Sequence, residues 1–154
     1  MSRFGKRMQH LAALMEGHGI EHFRPEELVR HRADEWPWRS IYPPPVRMLE
    51  NILPTLEIAD RLREEWGGPV RVVSGYRCPP YNDLVVEGAA DSQHLYFRAL
   101  DLQPTDGRYG TWIGHCERIV SELRSEGQVG LGRYPTFCHI DTGHYQESRD
   151  WDMR

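Results

Sequence analysis

The sequence predicts an α+β domain in which a small, mainly antiparallel sheet is packed by helices. Three observations predict this class. Helical patterns dominate the first part of the chain, short β-branched segments follow them, and one further amphipathic helix lies among those segments. Because strands and helices do not alternate regularly, the order argues against a parallel sheet built of βαβ units.

The first half of the chain carries mainly helical patterns. Pro25 suits a first helical position, whereas Pro54 falls inside the longest pattern and is expected to kink or divide it. Gly17 and Gly19 are expected to end the first helix. The predicted elements are helices over residues 5–17, 23–31 and 45–66, with a connecting loop over residues 33–45.

The second half combines short extended segments with one clear helix. Trp112, Cys116, Ile119 and Leu123 form one apolar stripe at helical spacing. This helix and the one over residues 45–66 are expected to cover one face of the sheet. The predicted elements are a strand over residues 70–75, a helical turn over 81–88, an extended segment over 94–104, a helix over 111–126, and strands over 128–132 and 137–141 joined by a turn at 133–136.

Composition limits the classes of function. A length of 154 residues predicts one domain over residues 1–154, with residues 1–21 as an N-terminal helical extension. A net charge of −4 argues against non-specific nucleic-acid binding, which depends on excess Lys and Arg. Because the chain has no apolar run of about 18 residues, we expect no membrane insertion. We expect a monomer.

The N-terminus and the cysteines argue against two further features, an export signal of the usual kind and a cysteine cluster. The apolar run "LAALM" is broken by Glu16 and His18 and is too short for the core of a secretory signal, so the sequence shows no export signal. Cys78, Cys116 and Cys138 are odd in number and contain no CxxC pair. We expect them to be small buried hydrophobic residues rather than disulfides or a zinc cluster.

Two histidines and two aspartates suggest a metal site. His139 and Asp141 lie two apart on one predicted strand and therefore face the same way. His94 and Asp101 lie in a neighbouring extended segment, but an odd separation along a flat strand would point them apart. Two His and one carboxylate with one open position are the ligand set of a catalytic zinc.

Three motifs in order carry a family resemblance. They are "SGYR" at 74–77, "SQH" with "ALD" within 92–101, and "GLGRYPTFCHIDTG" at 130–143. Together they resemble the zinc D-Ala-D-Ala carboxypeptidase and L-alanyl-D-glutamate peptidase family, whose members cleave peptidoglycan and share the Hedgehog-like fold. Ser92, His94, Ala99 and Asp101 match its pattern Ser-x-His-x-x-Gly-x-Ala-x-Asp. Weaker similarity extends the resemblance over residues 22–151.

The resemblance implies Zn²⁺ ligands at His94, Asp101 and His139. In that family the chain bends between the first two ligands at a glycine, which tolerates a bulge or a positive φ. This chain has Phe97 at that position. We therefore expect either that Phe97 accepts the bend in an ordinary conformation or that the site is distorted.

The resemblance also implies a reaction, the hydrolysis of a peptide bond next to a D-amino acid. The zinc polarises the carbonyl and activates a water, and a carboxylate accepts the proton. Residues 127–138 contain no acid, so Asp141 is the expected base; orientation of a zinc ligand is its alternative role.

Other polar residues are candidates for contact with the substrate. The resemblance implies that Arg77 binds the substrate carboxylate or the developing oxyanion, with a surface arginine as the alternative. Ser92 and Tyr76 are candidate substrate-binding residues, although a turn-capping Ser and a core Tyr are equally compatible with the sequence. For His144 an exposed loop histidine is favoured. The remaining histidines show no grouping.

The sequence leaves two functions open. The first is a zinc peptidase of peptidoglycan, a carboxypeptidase or an endopeptidase, either from a phage lysin or acting on muropeptides in the bacterial cytoplasm. The second is a non-catalytic zinc-containing module, for cell-wall binding or phage structure, with the same fold. Which peptidoglycan bond is cut does not follow from the sequence.

Overall fold

The computed structural model describes residues 2–31, 41–143 and 148–154. The helices are α1 (Arg3–Gly17), α2 (Pro25–Leu28), α3 (Leu53–Trp66), α4 (Pro79–Tyr81) and α5 (Tyr109–Leu123), with 3₁₀ turns at Val46–Ile52 and Gln93–Tyr96 and a π turn at Asn82–Val86. The strands are β1 (Val70–Ser74), β2 (Ala99–Pro104), β3 (Gly130–Arg133), β4 (Cys138–Asp141) and β5 (Asp150–Asp152).

The five strands form one sheet in the order β1-β2-β4-β3-β5. The pairings β1–β2, β2–β4 and β3–β4 are antiparallel, and β5 joins β3 in parallel. The predicted α+β class with a mainly antiparallel sheet is confirmed.

The helices cover one face of this sheet, as predicted. Leu100 and Leu102 of β2 alternate with Asp101, and Cys138 and Ile140 of β4 alternate with its polar residues, so the apolar side chains share the helix-covered face. Helices α1, α3 and α5 supply the rest of the core, including Leu11, Met15, Leu56, Ala59, Leu62, Trp112, Cys116 and Ile119. The opposite face carries the polar row described below.

Several sequence predictions are confirmed in detail. The helical pattern over 45–66 is divided just before Pro54, which occupies the first turn of α3. Gly67 ends α3 at a φ of 72°. The three cysteines are free and buried. Within the described ranges, every helix is too short or too polar to cross a membrane.

Other predictions need correction. The segment 94–104 is not extended throughout: Gln93–Tyr96 is a 3₁₀ turn, capped by the Ser92 hydroxyl, which accepts from the backbone N–H of His94. The helical turn predicted at 81–88 begins at Pro79 and ends before Glu87, which has a φ of 53°. Strand β5 was not predicted, because three residues carry too little alternation. Of the predicted loop 33–45, residues 33–40 lie outside the described residues.

Candidate metal centre

One row of residues crosses the whole sheet at the site. Ser74 pairs with Asp101, Asp101 with His139, His139 with Gly132, and Gly132 with Trp151, so the row runs through β1, β2, β4, β3 and β5 in turn. Residues directly opposite one another in a sheet point to the same face. The strand register therefore places Asp101 beside His139 on the face away from the helices.

His94 reaches the row from the turn before β2. Phe97 adopts the left-handed conformation itself, with φ 56° and ψ 49°, and reverses the chain between His94 and Asp101. Neither expected alternative holds, because the conformation is not ordinary and the site is nevertheless assembled. The fully buried Phe97 ring packs edge-on against Tyr76 at 6.0 Å, which offsets a conformational cost of about 1–2 kcal/mol.

Three predicted ligand atoms converge. His94 Nε2 lies 3.2 Å from His139 Nδ1 and 3.2 Å from Asp101 Oδ1, and His139 Nδ1 lies 2.9 Å from the same carboxylate oxygen. A tetrahedral ion with bonds of about 2.0–2.1 Å has ligand–ligand edges of roughly 3.3–3.4 Å. The triangle formed by these atoms is close to one face of such a tetrahedron.

Hydrogen bonds on the far sides of both imidazoles set their orientation. His94 Nδ1 lies 2.7 Å from the Gly75 carbonyl oxygen, which only accepts, so Nδ1 carries the proton. His139 Nε2 lies 2.7 Å from Asp141 Oδ2 and donates to it. When both rings are neutral, their remaining lone pairs therefore point towards Asp101. Three acceptors that meet in this way fit a transition-metal ion such as Zn²⁺.

Arg77 holds the second oxygen of the Asp101 carboxylate. Its Nη2 donates to Asp101 Oδ2 at 3.2 Å, and its Nε donates to Ser74 Oγ at 2.9 Å. Its backbone N–H donates to the His94 carbonyl at 3.1 Å. The motif "SGYR" thus orients two of the three predicted ligands, His94 through Gly75 and Asp101 through Arg77.

Burial and mutual contact shift the pKa values of the triad. Burial lowers the pKa of His94. Burial alone would raise the pKa of Asp101, but the two imidazoles hold it well below its usual range. Burial opposes the charged form of His139, yet hydrogen bonds to Asp101 and Asp141 raise its pKa to about 9. Without a metal, a proton on His139 thus neutralises the converging acceptors.

Asp141 lies behind His139 and is almost fully buried. Besides His139, its carboxylate accepts from the Gly143 backbone N–H at 3.2 Å. Gly130 makes this position possible, because a Cβ there would lie 2.6 Å from a carboxylate oxygen of Asp141. These contacts match the ligand-orienting alternative; a role as base stays a prediction.

A cleft of about 560 Å³ opens over the triad. Arg77, Ser92 and Asp141 line it, together with the aromatic residues Tyr134, Phe137 and Trp151. Tyr76 does not: its side chain is buried in the core, and burial raises its pKa to about 12. Of the two alternatives for Tyr76, the structure therefore shows packing in the core and not a position in the cleft. His144 lies outside the described residues.

Sequence reasoning missed the residues that make room for the site. Gly75 lies against the Leu28 backbone so closely that no Cβ fits, and Gly132 lies in the same way beneath the Trp151 indole. The spacing of Gly130 and Gly132 in "GLG" was the available signal, since alternate glycines on a strand free one face for bulky neighbours.

A second group of possible ligands lies on the surface. Glu21, His22 and Glu64 bring ligand atoms together, and His22 contacts the Glu64 carboxylate directly. Both glutamates are exposed, whereas every member of the first group is buried. Burial of three converging acceptors favours the first group as the metal centre.

The comparisons with known proteins give a match to a protein family. A family model described as Peptidase M15 matches residues 21–141. The match covers most of the chain, including β1 to β4, and leaves α1 and β5 outside. The comparison with curated proteins finds no match.

Proposed function

The chain belongs to the Peptidase M15 family, a family of metallopeptidase hydrolases, and we propose that it is a zinc-dependent peptidase that cleaves peptidoglycan stem peptides or cross-links. The observation that carries the proposal is the convergence of three buried ligand atoms from His94, Asp101 and His139. The second bonds of both imidazoles support metal ligation, because in each neutral ring they leave the facing nitrogen without a proton, and a metal would replace the proton that His139 otherwise carries.

Each residue has a task in this proposal. His94, Asp101 and His139 hold the zinc, which supplies polarisation of the scissile carbonyl and a water of lowered pKa. Arg77 keeps Asp101 oriented and places a positive charge at the cleft wall, where it favours a substrate carboxylate or an oxyanion. The Ser92 hydroxyl caps the turn that carries His94 and also lines the cleft.

Two tasks fit Asp141 in this proposal, proton transfer and orientation of His139. Its contact with Nε2 supports orientation, because that bond fixes which ring nitrogen faces the metal. The stretch 127–138 supplies no other acid.

The engagement of Asp141 favours one alternative function, a zinc-containing cell-wall binding module without turnover. A carboxylate already bonded to His139 and to the Gly143 N–H is a poor acceptor for another proton. In this alternative the cleft binds a stem peptide and releases it unchanged.

Incubation with purified peptidoglycan separates the two functions. The zinc-loaded protein is expected to release peptides or D-alanine, identified by mass analysis, and the products also reveal which bond is cut. His139→Ala serves as the control and is expected to release nothing. If the wild-type protein retains zinc and binds the wall but releases no product, the binding module replaces the peptidase.

A further inference from the structure

We infer that Trp151 is a positioning residue of the metal centre: its indole backs the imidazole of His139 and closes one side of the cleft. Trp151 lies on β5, beyond the residues that match the family model. The inference rests on the proposed metal site, and it concerns a part of the chain to which neither the motifs nor the family match assigns a role.

The strand register brings Trp151 to His139. Gly132 of β3 pairs with His139 on one side and with Trp151 on the other. Since Gly132 has no side chain, the indole lies across it, and a Cβ at that position would overlap the ring. The indole and imidazole ring centres are consequently 4.9 Å apart, with their planes tilted by 52°.

Separate contacts fix the indole itself. Trp151 Nε1 donates to the Tyr134 hydroxyl at 3.1 Å, and the Tyr134 ring stacks on Phe137 at 4.4 Å. These contacts hold the ring by its polar edge while its apolar part covers Gly132.

Helix α5 fixes the strand that carries the indole. Arg124, just after α5, donates to both carboxylate oxygens of Asp150 at 2.7 and 3.0 Å and to the Arg149 carbonyl at 3.1 Å. The backbone of β5 also bonds to that of β3, through Leu131 to Arg149 and Met153 to Arg133, each at 2.8 Å.

The imidazole of His139 is therefore confined from two directions. Asp141 bonds its Nε2, and Trp151 packs against the ring. A confined ring keeps Nδ1 aimed at His94 and Asp101, so less freedom is lost when a metal binds. The indole also replaces water beside the ligand, which lowers the local dielectric.

Metal affinity and a Co²⁺ absorption spectrum test this role without any assay of activity. Trp151→Ala is expected to weaken Zn²⁺ binding at least tenfold, measured by competition with a chelating dye, and to alter the Co²⁺ bands, which report ligand geometry. Trp151→Phe keeps a ring and is expected to stay within about threefold of wild type. Met153→Ala, a change of a 62% exposed residue just after β5, is the matched control and should change neither measurement.

Wild-type affinity and an unchanged Co²⁺ spectrum in Trp151→Ala would overturn the inference, as would an equal loss in Met153→Ala. If Trp151→Ala fails to fold, Trp151→Leu is compared with Trp151→Phe: the inference predicts that only Phe preserves affinity, and equal affinities contradict it. A wild-type chain that binds no Zn²⁺ would overturn both this inference and the proposed function, whereas the outcomes above, with zinc bound, overturn the inference alone.

Discussion

At the scale of single residues, each of the three predicted ligands has a further hydrogen bond on the side away from the metal position. That bond orients the side chain and determines which of its atoms faces the other two. The Gly75 carbonyl accepts from Nδ1 of His94, Asp141 accepts from Nε2 of His139, and Arg77 donates to Oδ2 of Asp101. The resemblance to a family predicted the three candidate ligands, His94, Asp101 and His139. Orientation of a ligand by Asp141 was one of its two predicted roles, whereas the contacts of Gly75 with His94 and of Arg77 with Asp101 could not be predicted, because they depend on distances between separate segments.

Asp141→Asn tests the role of this carboxylate. The amide can turn its oxygen to His139 Nε2 but holds an imidazole less firmly, so we expect Zn²⁺ affinity to fall by about 10–100-fold if Asp141 orients the ligand. If Asp141 is instead the base, zinc content stays at wild-type level and product release from peptidoglycan is lost. Metal titration and the product assay on one preparation distinguish these results; unchanged affinity with full activity excludes both roles.

Phe97 combines a costly backbone conformation with a valuable buried ring. Phe97→Ala is expected to destabilise the fold by about 3–5 kcal/mol through the lost ring. Phe97→Gly loses the same ring but removes the strain at φ 56°, so it should be more stable than the Ala variant by about 1 kcal/mol. Urea unfolding of the three proteins measures both differences. An Ala variant as stable as the Gly variant would show that the left-handed conformation is not retained.

At the scale of elements, local patterns predicted what local forces determine. The apolar spacing of α3 and α5 and the stop at Gly67 follow from neighbours along the chain. The resemblance implied a bend near Phe97, but its left-handed conformation could not be predicted, since a phenylalanine in that region contradicts local preference. Strand β5 owes its existence to pairing with β3 and to Arg124, contacts that no short window of sequence contains.

Replacement of two glycines by alanine, one at the end of α3 and one within α5, should change the stability of the fold in opposite directions. Gly67→Ala is expected to destabilise the fold by about 1 kcal/mol. A Cβ at this position would meet no neighbouring atom, so the cost comes only from the φ of 72°, which is unfavourable for alanine. Gly114→Ala, on the exposed face of α5 with an ordinary φ, is expected to stabilise by about 0.5–1 kcal/mol. Thermal or urea unfolding checks the signs. Two changes of the same sign would contradict the backbone assignment at one of these positions.

At the scale of the whole molecule, the sheet separates stability from chemistry. Its helix-covered face holds the core, and its other face carries the polar row from Ser74 to Trp151. The α+β class could be predicted from the order of elements along the chain alone. The cleft could not, because its prediction requires the strand order β1-β2-β4-β3-β5, which brings residues distant in the chain into one row.

The core also contains a histidine that makes the folded state sensitive to acid. Burial lowers the pKa of His31, which stacks on Tyr81 at 4.0 Å, to about 4. In the unfolded state the pKa of His31 is near 6.5. The contribution of the neutral side chain to the free energy of unfolding is therefore fully present above that pH and falls by roughly 3 kcal/mol as the pH falls towards 4. His31→Phe should therefore lose less stability than wild type between pH 7 and 4. Parallel pH dependences in urea unfolding would contradict this.

The central claim is that one ion is held by His94, Asp101 and His139. An anomalous difference map from a crystal of the Zn²⁺-loaded protein tests it most directly. The account predicts one strong peak about 2.0–2.2 Å from His94 Nε2, His139 Nδ1 and a carboxylate oxygen of Asp101. A peak only beside Glu21, His22 and Glu64, or ligation through Nε2 of His139, would contradict it.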